Sequence, residues 1–483
     1  MSYSIPSALQ YFDIENLLRD LPRGERWLRH LREDLLPFWE MPTALGEPLG
    51  NFPTYRNDDG SLVDWQNPHP EFQHAVEGIV FRDRDHVRAK SRQCFAYGIA
   101  YHMTGEEQYL NYAKAGVAFL REKAIDRVHG GAFSYFSSPG TVPGPEVPYR
   151  TSQDMAYLLC GIGFLYYLTR DPELEKDLIA IHDYIWFHYY DSGADVFRWV
   201  LEDNLPNGDF KSQQEIVAQL DQVYGYMILV TPCLPEPVQS TWKNRLVKLA
   251  HIMMDRFYSP RTELFWGAVD TTAKKRWGTP HTDFGHSVKA FWLISLIGSI
   301  TDNYEMFVSA QRRAAQIVDM AYLESTGSWA RCLKPDGTKD EDKEWWIQCE
   351  LDQVSGALAL NDPAYLRYIV RTYDYWFKYM VDHENHEIWA MVSAATNQPA
   401  EGYPKQHSWK NALHSFEHVL LGYIFAQQLH GEAATLYYAW QNTPPRRQIT
   451  PYFYQGTVVE PISETTAGNP AEKRQKVSFR TIH

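Results

Sequence analysis

Hydrophobic residues recur along most of the chain with the spacing expected of helices that bury one face. Two clear stretches are Tyr109, Ala113, Val117 and Leu120, and Leu174, Leu178, Ile181 and Ile185. Residues three and four positions apart share one face of an α-helix, so this spacing predicts amphipathic helices. Asp171-Pro172 and Asp362-Pro363 predict two helix starts, because aspartate caps free N–H groups and proline suits the first turn.

The predicted helices follow a repeat of about 65 residues. Residues 220–223 (LDQV) recur as residues 351–354, and a glycine follows two positions after each copy. Polar residues near the start of the second helix type are spaced 62 to 67 residues apart, at Arg92, Asp154, Asp221, His286, Asp352 and His414. Such a unit is long enough for two helices and a long loop.

Six units, each with an inner and an outer helix, predict an all-α protein closed into an (α/α)6 barrel. Glycine-containing β-like runs at 130–135 and 264–267 predict hairpins on one rim. The polar residues at the inner-helix starts would then meet in one central cleft. The alternative is an open α-solenoid that binds proteins, and the equal spacing of the polar residues favours closure.

Residues 10 to 440 contain no linker or low-complexity run, so we predict one barrel domain over 1–442. The tail over 443–483 is basic and rich in proline. It is predicted to be extended, either as a strap against the acidic body or as a subunit contact, with a disordered end as the alternative.

Composition narrows the class of protein. The 483 residues carry a net charge of −14, and the pI of about 5.7 argues against nucleic-acid binding, which needs a basic footprint. Five scattered cysteines, with no CxxC pair, suit a reducing compartment. Neither a signal peptide nor a membrane-length apolar run is apparent, so the sequence predicts a cytoplasmic protein without a membrane partner. Aromatic residues make up 14% of the chain, which suits either sugar stacking or a helical core.

Two histidines are the strongest candidates for chemistry. His286 and His414 each begin an apolar helical run, and each has a charged residue three positions later, Lys289 and Glu417. A closed barrel would bring the two imidazoles to one cleft, where they could move protons near pH 7. A single histidine of this kind is more often part of a core, but two at matched repeat positions favour function.

Common motifs for nucleophilic catalysis and for nucleotide or dinucleotide binding are missing from the sequence. It contains no GxSxG elbow, no P-loop and no complete dinucleotide fingerprint. His414 and His418 have the spacing of metal ligands, but Glu417 does not lie at the metalloprotease position. The prediction is therefore an enzyme with no metal and no nicotinamide cofactor.

Five segments resemble the N-acylglucosamine 2-epimerase superfamily, which includes cellobiose 2-epimerases and mannose and sulfoquinovose isomerases. The resemblance covers most of residues 25 to 430. The segments are 36–39 (LPFW) with 50–52 (GNF) and 59–60 (DG), 90–93 (KSRQ), 343–350 (KEWWIQCE), and the counterparts of "GHxxE" at His286 and "WKxxxHxxR" at His414. Single strings are weak, but five in this order are specific.

The resemblance implies an (α/α)6 sugar isomerase or epimerase with His286 and His414 as catalytic residues. It implies that Arg92 contacts the sugar and that Trp409 stacks on it. With the cleft positions of the repeat and of the 343–350 segment, the predicted substrate-binding residues are Arg92, Asp154, Asp221, Lys289, Trp346, Glu350, Asp352, Trp409 and Glu417.

Three positions depart from the family pattern. Lys289 replaces a glutamate three residues after the first histidine, and Glu417 replaces an arginine three residues after the second. We hypothesise that the two form an ion pair whose signs have been exchanged. Asp221 replaces a family histidine that helps to bind the sugar near O1 and O2, which leaves the substrate and the reaction subtype open.

The implied chemistry is proton abstraction next to the carbonyl of an open-chain mono- or disaccharide, giving a 2-epimer or a ketose, with mannose and fructose as one example. One alternative is a glycoside hydrolase or lyase that uses Asp154, Asp221, Asp352 and Glu350. Another is a sugar-binding barrel without catalysis. The resemblance implies a monomer or a homodimer.

Overall fold

The computed structural model describes residues 13–137, 150–201, 214–269, 280–466 and 473–483. Long helices alternate between two environments along the chain. The first set is buried on all sides and comprises Val87–Thr104, Ser152–Thr169, Val217–Gln222 with its continuation to Val230, Phe284–Ile300, Trp345–Ala359 and Leu413–Leu429. We call these inner helices 1 to 6.

The second set buries only one stripe of each helix. It comprises Gly24–Arg29 with its continuation to Trp39, Glu107–Lys123, Pro172–Tyr189, Val238–Ile252 with its continuation to Phe257, Tyr304–Ala321, and Leu366–Tyr375 with its continuation to Met380. We call these outer helices 1 to 6. In Tyr304–Ala321, for example, the buried residues are Ala310, Ala314, Ile317, Val318 and Ala321. This division confirms the predicted pairing of an inner and an outer helix in each repeat.

Capping residues begin these helices where the sequence predicts. The Asp171 carboxylate accepts the backbone N–H of Glu173, and the Asp362 carboxylate accepts that of Ala364. Asp362 opens a short 3-10 turn that leads into outer helix 6. Each carboxylate satisfies an N–H group that has no partner inside the helix.

The ring of helices is closed. Inner helix 6 packs against inner helix 1 and also against outer helix 1, so the last repeat meets the first. This contact confirms the (α/α)6 barrel and rules out the open solenoid. None of the described helices is both long and apolar enough to cross a membrane.

Short strands connect the helices. Antiparallel pairs join Tyr190–Asp191 with Val196–Phe197, Tyr258–Ser259 with Leu264–Phe265, Tyr322–Leu323 with Ser328–Trp329, Cys332–Leu333 with Lys339–Asp340, Lys343–Glu344 with Met391–Val392, and Arg84–His86 with Tyr135–Ser137. The hairpin predicted at 264–267 is confirmed. The run predicted at 130–135 also follows a hairpin turn, since Ile125 and Ala132 form an antiparallel bridge around Gly130 and Gly131, and its last residue, Tyr135, pairs with His86.

A three-stranded sheet follows inner helix 6. Lys473–Arg480 is its central strand and pairs with Ala434–Tyr438 on one side and Thr457–Thr466 on the other. Ala434–Tyr438 also packs against inner helix 1. The sheet therefore joins the segment after 443 to the end of the barrel, while the boundary at 442 stays a prediction. Part of that tail, 467–472, lies outside the described residues.

Candidate active site

A cavity of about 620 Å³ lies at the N-terminal ends of the inner helices. Seven of the predicted site residues line it: Arg92, Asp221, His286, Lys289, Trp346, Trp409 and His414. They come from inner helices 1, 3, 4, 5 and 6 and from the loop before inner helix 6. The closed ring therefore brings residues from four repeats or more to one place, as the repeat spacing predicts.

His286 is held by the residue that caps its own helix. One oxygen of Asp283 accepts the backbone N–H of His286 at 2.7 Å, and the other lies 2.7 Å from the imidazole Nδ1. Burial would raise the pKa of Asp283, but the imidazole and the hydrogen bonds outweigh burial and keep it below the usual value. An ionised Asp283 fixes the proton on Nδ1 and leaves Nε2 as the nitrogen that exchanges protons.

His414 lies in the first turn of inner helix 6 in a different environment. Its ring is parallel to the Tyr224 ring, with the centroids 5.9 Å apart. Its Nδ1 lies 3.4 Å from the Tyr224 hydroxyl and 3.5 Å from a Glu350 oxygen. Burial and the positive charges of Lys289 and Arg92 hold the pKa of His414 well below its usual value. His414 is therefore neutral at pH 7 and can accept a proton.

Trp346 contacts both imidazoles. Its ring is inclined at 67° to that of His286, with centroids 4.6 Å apart, and its centroid lies 6.1 Å from that of His414. The indole N–H donates to Glu344 at 2.8 Å, which fixes the ring. One rigid indole thus contacts two imidazoles whose hydrogen-bond partners differ.

Lys289 and Glu417 do not form the hypothesised ion pair. The Lys289 ammonium lies 2.9 Å from a Glu350 oxygen and 3.2 Å from the centroid of the Tyr224 ring. Glu417 instead accepts hydrogen bonds from the hydroxyls of Tyr224 and Tyr452. Glu350 lies beside the ammonium, and two phenols already occupy the oxygens of Glu417, so the hypothesised pair does not form.

Glu350, His414 and Glu417 also form the kind of cluster that can hold a metal, with ligand atoms within 4.8 Å of one another. The Lys289 ammonium, however, already supplies positive charge against Glu350. The donor set therefore fits the ammonium better than a metal ion. His418 points elsewhere, because its Nε2 bonds to Asp352 at 3.0 Å, so the spacing of His414 and His418 does not make a shared site.

Arg92 and Asp221 form the opposite wall with Tyr157 next to both. The Arg92 guanidinium stacks on the Tyr157 ring at 3.7 Å and donates to the backbone oxygen of Trp409 at 2.7 Å. Asp221 accepts from Gln153 at 2.7 Å and from the Tyr157 hydroxyl at 3.1 Å. The wall presents both donors and acceptors, which sugar hydroxyl groups require.

Four predicted sugar contacts do not line the cavity: Asp154, Glu350, Asp352 and Glu417. Asp154 bonds to Arg88 at 2.8 Å, and that guanidinium lies 3.6 Å over the Trp409 ring, so Asp154 supports the tryptophan instead. Asp352 faces the core and accepts from Trp329, Thr372 and His418. Each of these carboxylates is buried with its own partners behind the cavity wall.

Three residues that the sequence analysis missed complete the site. Asp283 had a readable signal, because position i−3 from His286 is a capping position on the same helix face. Tyr224 and His407 had none. The His407 Nδ1 accepts the Trp409 N–H at 3.2 Å, which leaves its Nε2–H without a partner in the described part of the chain. Burial lowers the pKa of His407 to about 3, so it is an uncharged donor.

The known proteins similar to this chain include sugar epimerases and a sugar isomerase. No family model matches the chain. A cellobiose 2-epimerase from Eubacterium cellulosolvens is 23% identical over 359 residues, which is 68% of this chain and 80% of that enzyme. A cellobiose 2-epimerase from Ruminococcus albus is 21% identical over 346 residues, covering 67% and 84%.

Solved structures share the fold. A sugar epimerase from a ruminal bacterium superposes with a TM-score of 0.67 at 16% identity, over 84% of this chain and 98% of that one. A D-mannose isomerase superposes with a TM-score of 0.62 at 16% identity, over 87% and 99%. A family 88 glycosyl hydrolase from Bacteroides vulgatus superposes less well, with a TM-score of 0.52 at 10% identity.

The fold and the site together define a class of protein: an (α/α)6 barrel with two histidines facing one central cavity. Within that class, the chain is similar to cellobiose 2-epimerases over about two thirds of its length, and it shares its fold with a sugar epimerase and a D-mannose isomerase.

Proposed function

We propose that the protein is a sugar isomerase or 2-epimerase that moves a proton at C2 of an open-chain sugar. The observation that carries the proposal is the pair His286 and His414, which contact the same indole but have different partners. His414 is a neutral base, whereas His286 has an ionised carboxylate behind it that stabilises an imidazolium.

In the proposed reaction, one imidazole takes the proton from C2, and the electron pair of the C–H bond delocalises into the carbonyl to give an enediolate. The other imidazole returns a proton to the opposite face of C2 to give the 2-epimer. Return to C1, with the proton of the O2 hydroxyl passing to O1, gives the ketose. In both cases the proton balance is closed and no redox change occurs, so the reaction needs neither a nicotinamide nor a metal.

The enediolate needs positive charge or hydrogen-bond donors nearby, since it carries negative charge on oxygen. Three side chains of the cavity wall supply them in this proposal. Arg92 and Lys289 are cationic, and the unpartnered Nε2–H of His407 is a neutral donor. Trp409, whose one face is covered by Arg88, offers the other face to the sugar ring.

The proposed substrate is a mono- or disaccharide. The relatives named above are cellobiose 2-epimerases and one of the similar structures is a D-mannose isomerase, so the panel of candidates spans both sizes. The cavity presents mixed charges and stacking surfaces. We also propose a cytoplasmic enzyme, active as a monomer or a homodimer, with no nucleic-acid or membrane partner.

The test is proton NMR in D₂O with mannose, glucose, fructose, talose, lyxose, N-acetylmannosamine and cellobiose. We expect the C2 proton signal of one aldose to disappear at a rate proportional to the enzyme concentration. The signals of a new epimer or ketose should appear at the same time. Absence of exchange with every sugar, while the protein stays folded, would overturn the proposal.

A glycosidase mechanism has less support. It needs two carboxylates flanking the bond to be cleaved. Of the four carboxylates considered for that role, only Asp221 lines the cavity, because Asp154, Asp352 and Glu350 are held by Arg88, His418 and Lys289. Incubation of the protein with p-nitrophenyl glycosides should therefore release no nitrophenol.

Asp283→Asn should separate catalysis from folding. Asparagine caps a helix about as well as aspartate, so the melting temperature should change little. It carries no charge to fix the His286 tautomer or to stabilise the imidazolium, so kcat should fall on the order of 10²-fold or more. Steady-state kinetics and thermal melting measure both. Asp171→Asn, at another helix cap, is the matched control, and equal activity of the two variants would contradict the assignment.

Glu350→Gln should change the pH dependence. Burial raises the pKa of Glu350 to about 7, although the Lys289 ammonium favours its ionised form. As the pH falls through that value, Glu350 is protonated and His414 loses a nearby negative charge that stabilises its imidazolium. We therefore expect kcat/KM to fall on the acid side of about pH 7. In Glu350→Gln, kcat/KM should stay low at every pH and should show no inflection near pH 7. Glu384→Gln, an exposed control, should keep it, and an unchanged inflection in Glu350→Gln would assign it elsewhere.

A further inference from the structure

Glu417 lies fully buried behind the cavity and has two phenols as partners. Tyr224, from inner helix 3, donates its hydroxyl to one oxygen, and Tyr452, from the segment after the barrel, donates to the other. The Gln353 amide is a third, longer contact at 3.5 Å. A carboxylate with this many donors is fixed in place and in orientation.

The bonds continue from Glu417 to His414. A phenol has one proton, and the Tyr224 proton points to Glu417, so its oxygen faces His414 as an acceptor. The His414 Nδ1 lies 3.4 Å from that oxygen and 3.5 Å from a Glu350 oxygen. The Tyr224 oxygen accepts, and Glu350 accepts when it is ionised, above about pH 7, so under those conditions the proton of the neutral imidazole belongs on Nδ1. This leaves the lone pair on Nε2, which is then the basic atom.

The backbone at Tyr452 is strained. Its φ of 61° lies in the left-handed region, which a tyrosine rarely adopts. A residue keeps such a conformation only where its surroundings impose it. Here its N–H donates to the Tyr167 hydroxyl at 2.9 Å, and its ring stacks on Phe453 with centroids 3.8 Å apart.

The preceding residues anchor the same segment. The backbone oxygen of Thr450 accepts from the hydroxyls of Tyr167 and Tyr438, which come from inner helix 2 and from the strand Ala434–Tyr438. The segment is therefore tied to the barrel wall and to the C-terminal sheet at once. These ties hold the Tyr452 hydroxyl against Glu417.

We propose that Tyr452 is a positioning residue for catalysis: it holds Glu417, which through Tyr224 sets the tautomer and orientation of His414. The inference rests on the proposed function for its catalytic meaning, but the tautomer of His414 can be measured without any substrate. The segment around Tyr452 thus belongs to the active site, although it does not line the cavity.

The kinetic test is Tyr452→Phe, which removes one oxygen atom and keeps the ring. Tyr454→Phe is the matched control, because that buried phenol lies two residues away and accepts from Trp292 instead of contacting Glu417. We expect kcat to fall about tenfold in Tyr452→Phe with KM within twofold, because only the His414 geometry is disturbed. In Tyr454→Phe, kcat should stay within twofold. Equal kcat values for the two variants would overturn the proposal.

The second test uses protein labelled with ¹⁵N-histidine. Long-range ¹H–¹⁵N NMR distinguishes the two tautomers, and the signal of His414 is identified by its loss in His414→Asn. We expect the Nδ1–H tautomer in the wild-type protein and a mixture of tautomers in Tyr452→Phe. An Nε2–H tautomer in the wild type would overturn the proposal, even if Tyr452→Phe fails to fold. If no sugar shows exchange but the tautomer result holds, the proposed function fails and the positioning role stands.

Discussion

His414→Asn is expected to lose C2 deuterium exchange on the order of 10³-fold or more. Asparagine fills a similar space but cannot accept a proton, and general-base catalysis by a histidine contributes about 10² to 10⁴ to a rate. Burial lowers the pKa of both His414 and His407 in the cavity, but the Nδ1 of His407 already accepts the Trp409 N–H, so His414 is the neutral base assigned to the reaction.

NMR in D₂O measures the rate, and the exposed His251→Asn on outer helix 4 serves as the control. Its exchange rate should match the wild type within twofold. Retention of more than a tenth of the wild-type rate in folded His414→Asn would remove this histidine from the mechanism.

The partner variant His286→Asn tells the two reaction types apart. If the enzyme is an epimerase, His414 alone can still take the C2 proton and return deuterium to the same face. The substrate would then become labelled at C2 without forming an epimer. If the enzyme is an isomerase in which His286 protonates C1, the ketose should disappear together with any labelling at C1.

Lys410→Met is expected to cost about 3–5 kcal/mol of folding free energy, which is the usual effect of leaving one partner of a buried ion pair alone. Lys410 and Glu387 are both fully buried, with the ammonium 3.1 Å from the carboxylate. Glu387 also accepts from the Trp39 indole at 2.6 Å and from Ser415 at 3.0 Å, so the pair ties outer helix 1 to inner helix 6.

Urea unfolding measures this loss. The double variant Lys410→Met/Glu387→Gln should recover part of it, because no charge is then buried alone. Lys176→Met, at an exposed ion pair with Glu173, should leave the urea midpoint unchanged. If Lys410→Met and Lys176→Met destabilise equally, the pair does not support the barrel.

The fold was predictable because the residues that reveal the repeat are part of the helices that form the barrel. All six polar positions used to define the repeat lie on the six inner helices. Their environments were less predictable. The two LDQV segments are identical, yet Asp221 lines the cavity and Asp352 bonds to His418 in the core. Asp221 is the fifth residue of its helix and Asp352 the eighth of its own, so identical letters lie at different depths.

The partners of buried charges were not predictable from spacing either. Two carboxylates were candidates for Lys289, and the ammonium pairs with Glu350 while the hydroxyls of Tyr224 and Tyr452 occupy Glu417. The carboxylate that orients His286 was within reach of sequence reasoning. Position i+3 holds Lys289 in this chain, and the carboxylate that contacts His286 is Asp283 at i−3, on the same side of the helix.

The place of Tyr452 also bears on how the enzyme is made. During synthesis the six helical pairs are made first. Tyr452, whose hydroxyl donates to Glu417 behind His414, is made only after inner helix 6. The strand Ala434–Tyr438 likewise cannot form its sheet until Lys473–Arg480, its pairing partner, has been synthesised. Nascent chains with a finished ring of helices are therefore expected to be poor catalysts until the segment around Tyr452 has been synthesised and has packed against Glu417.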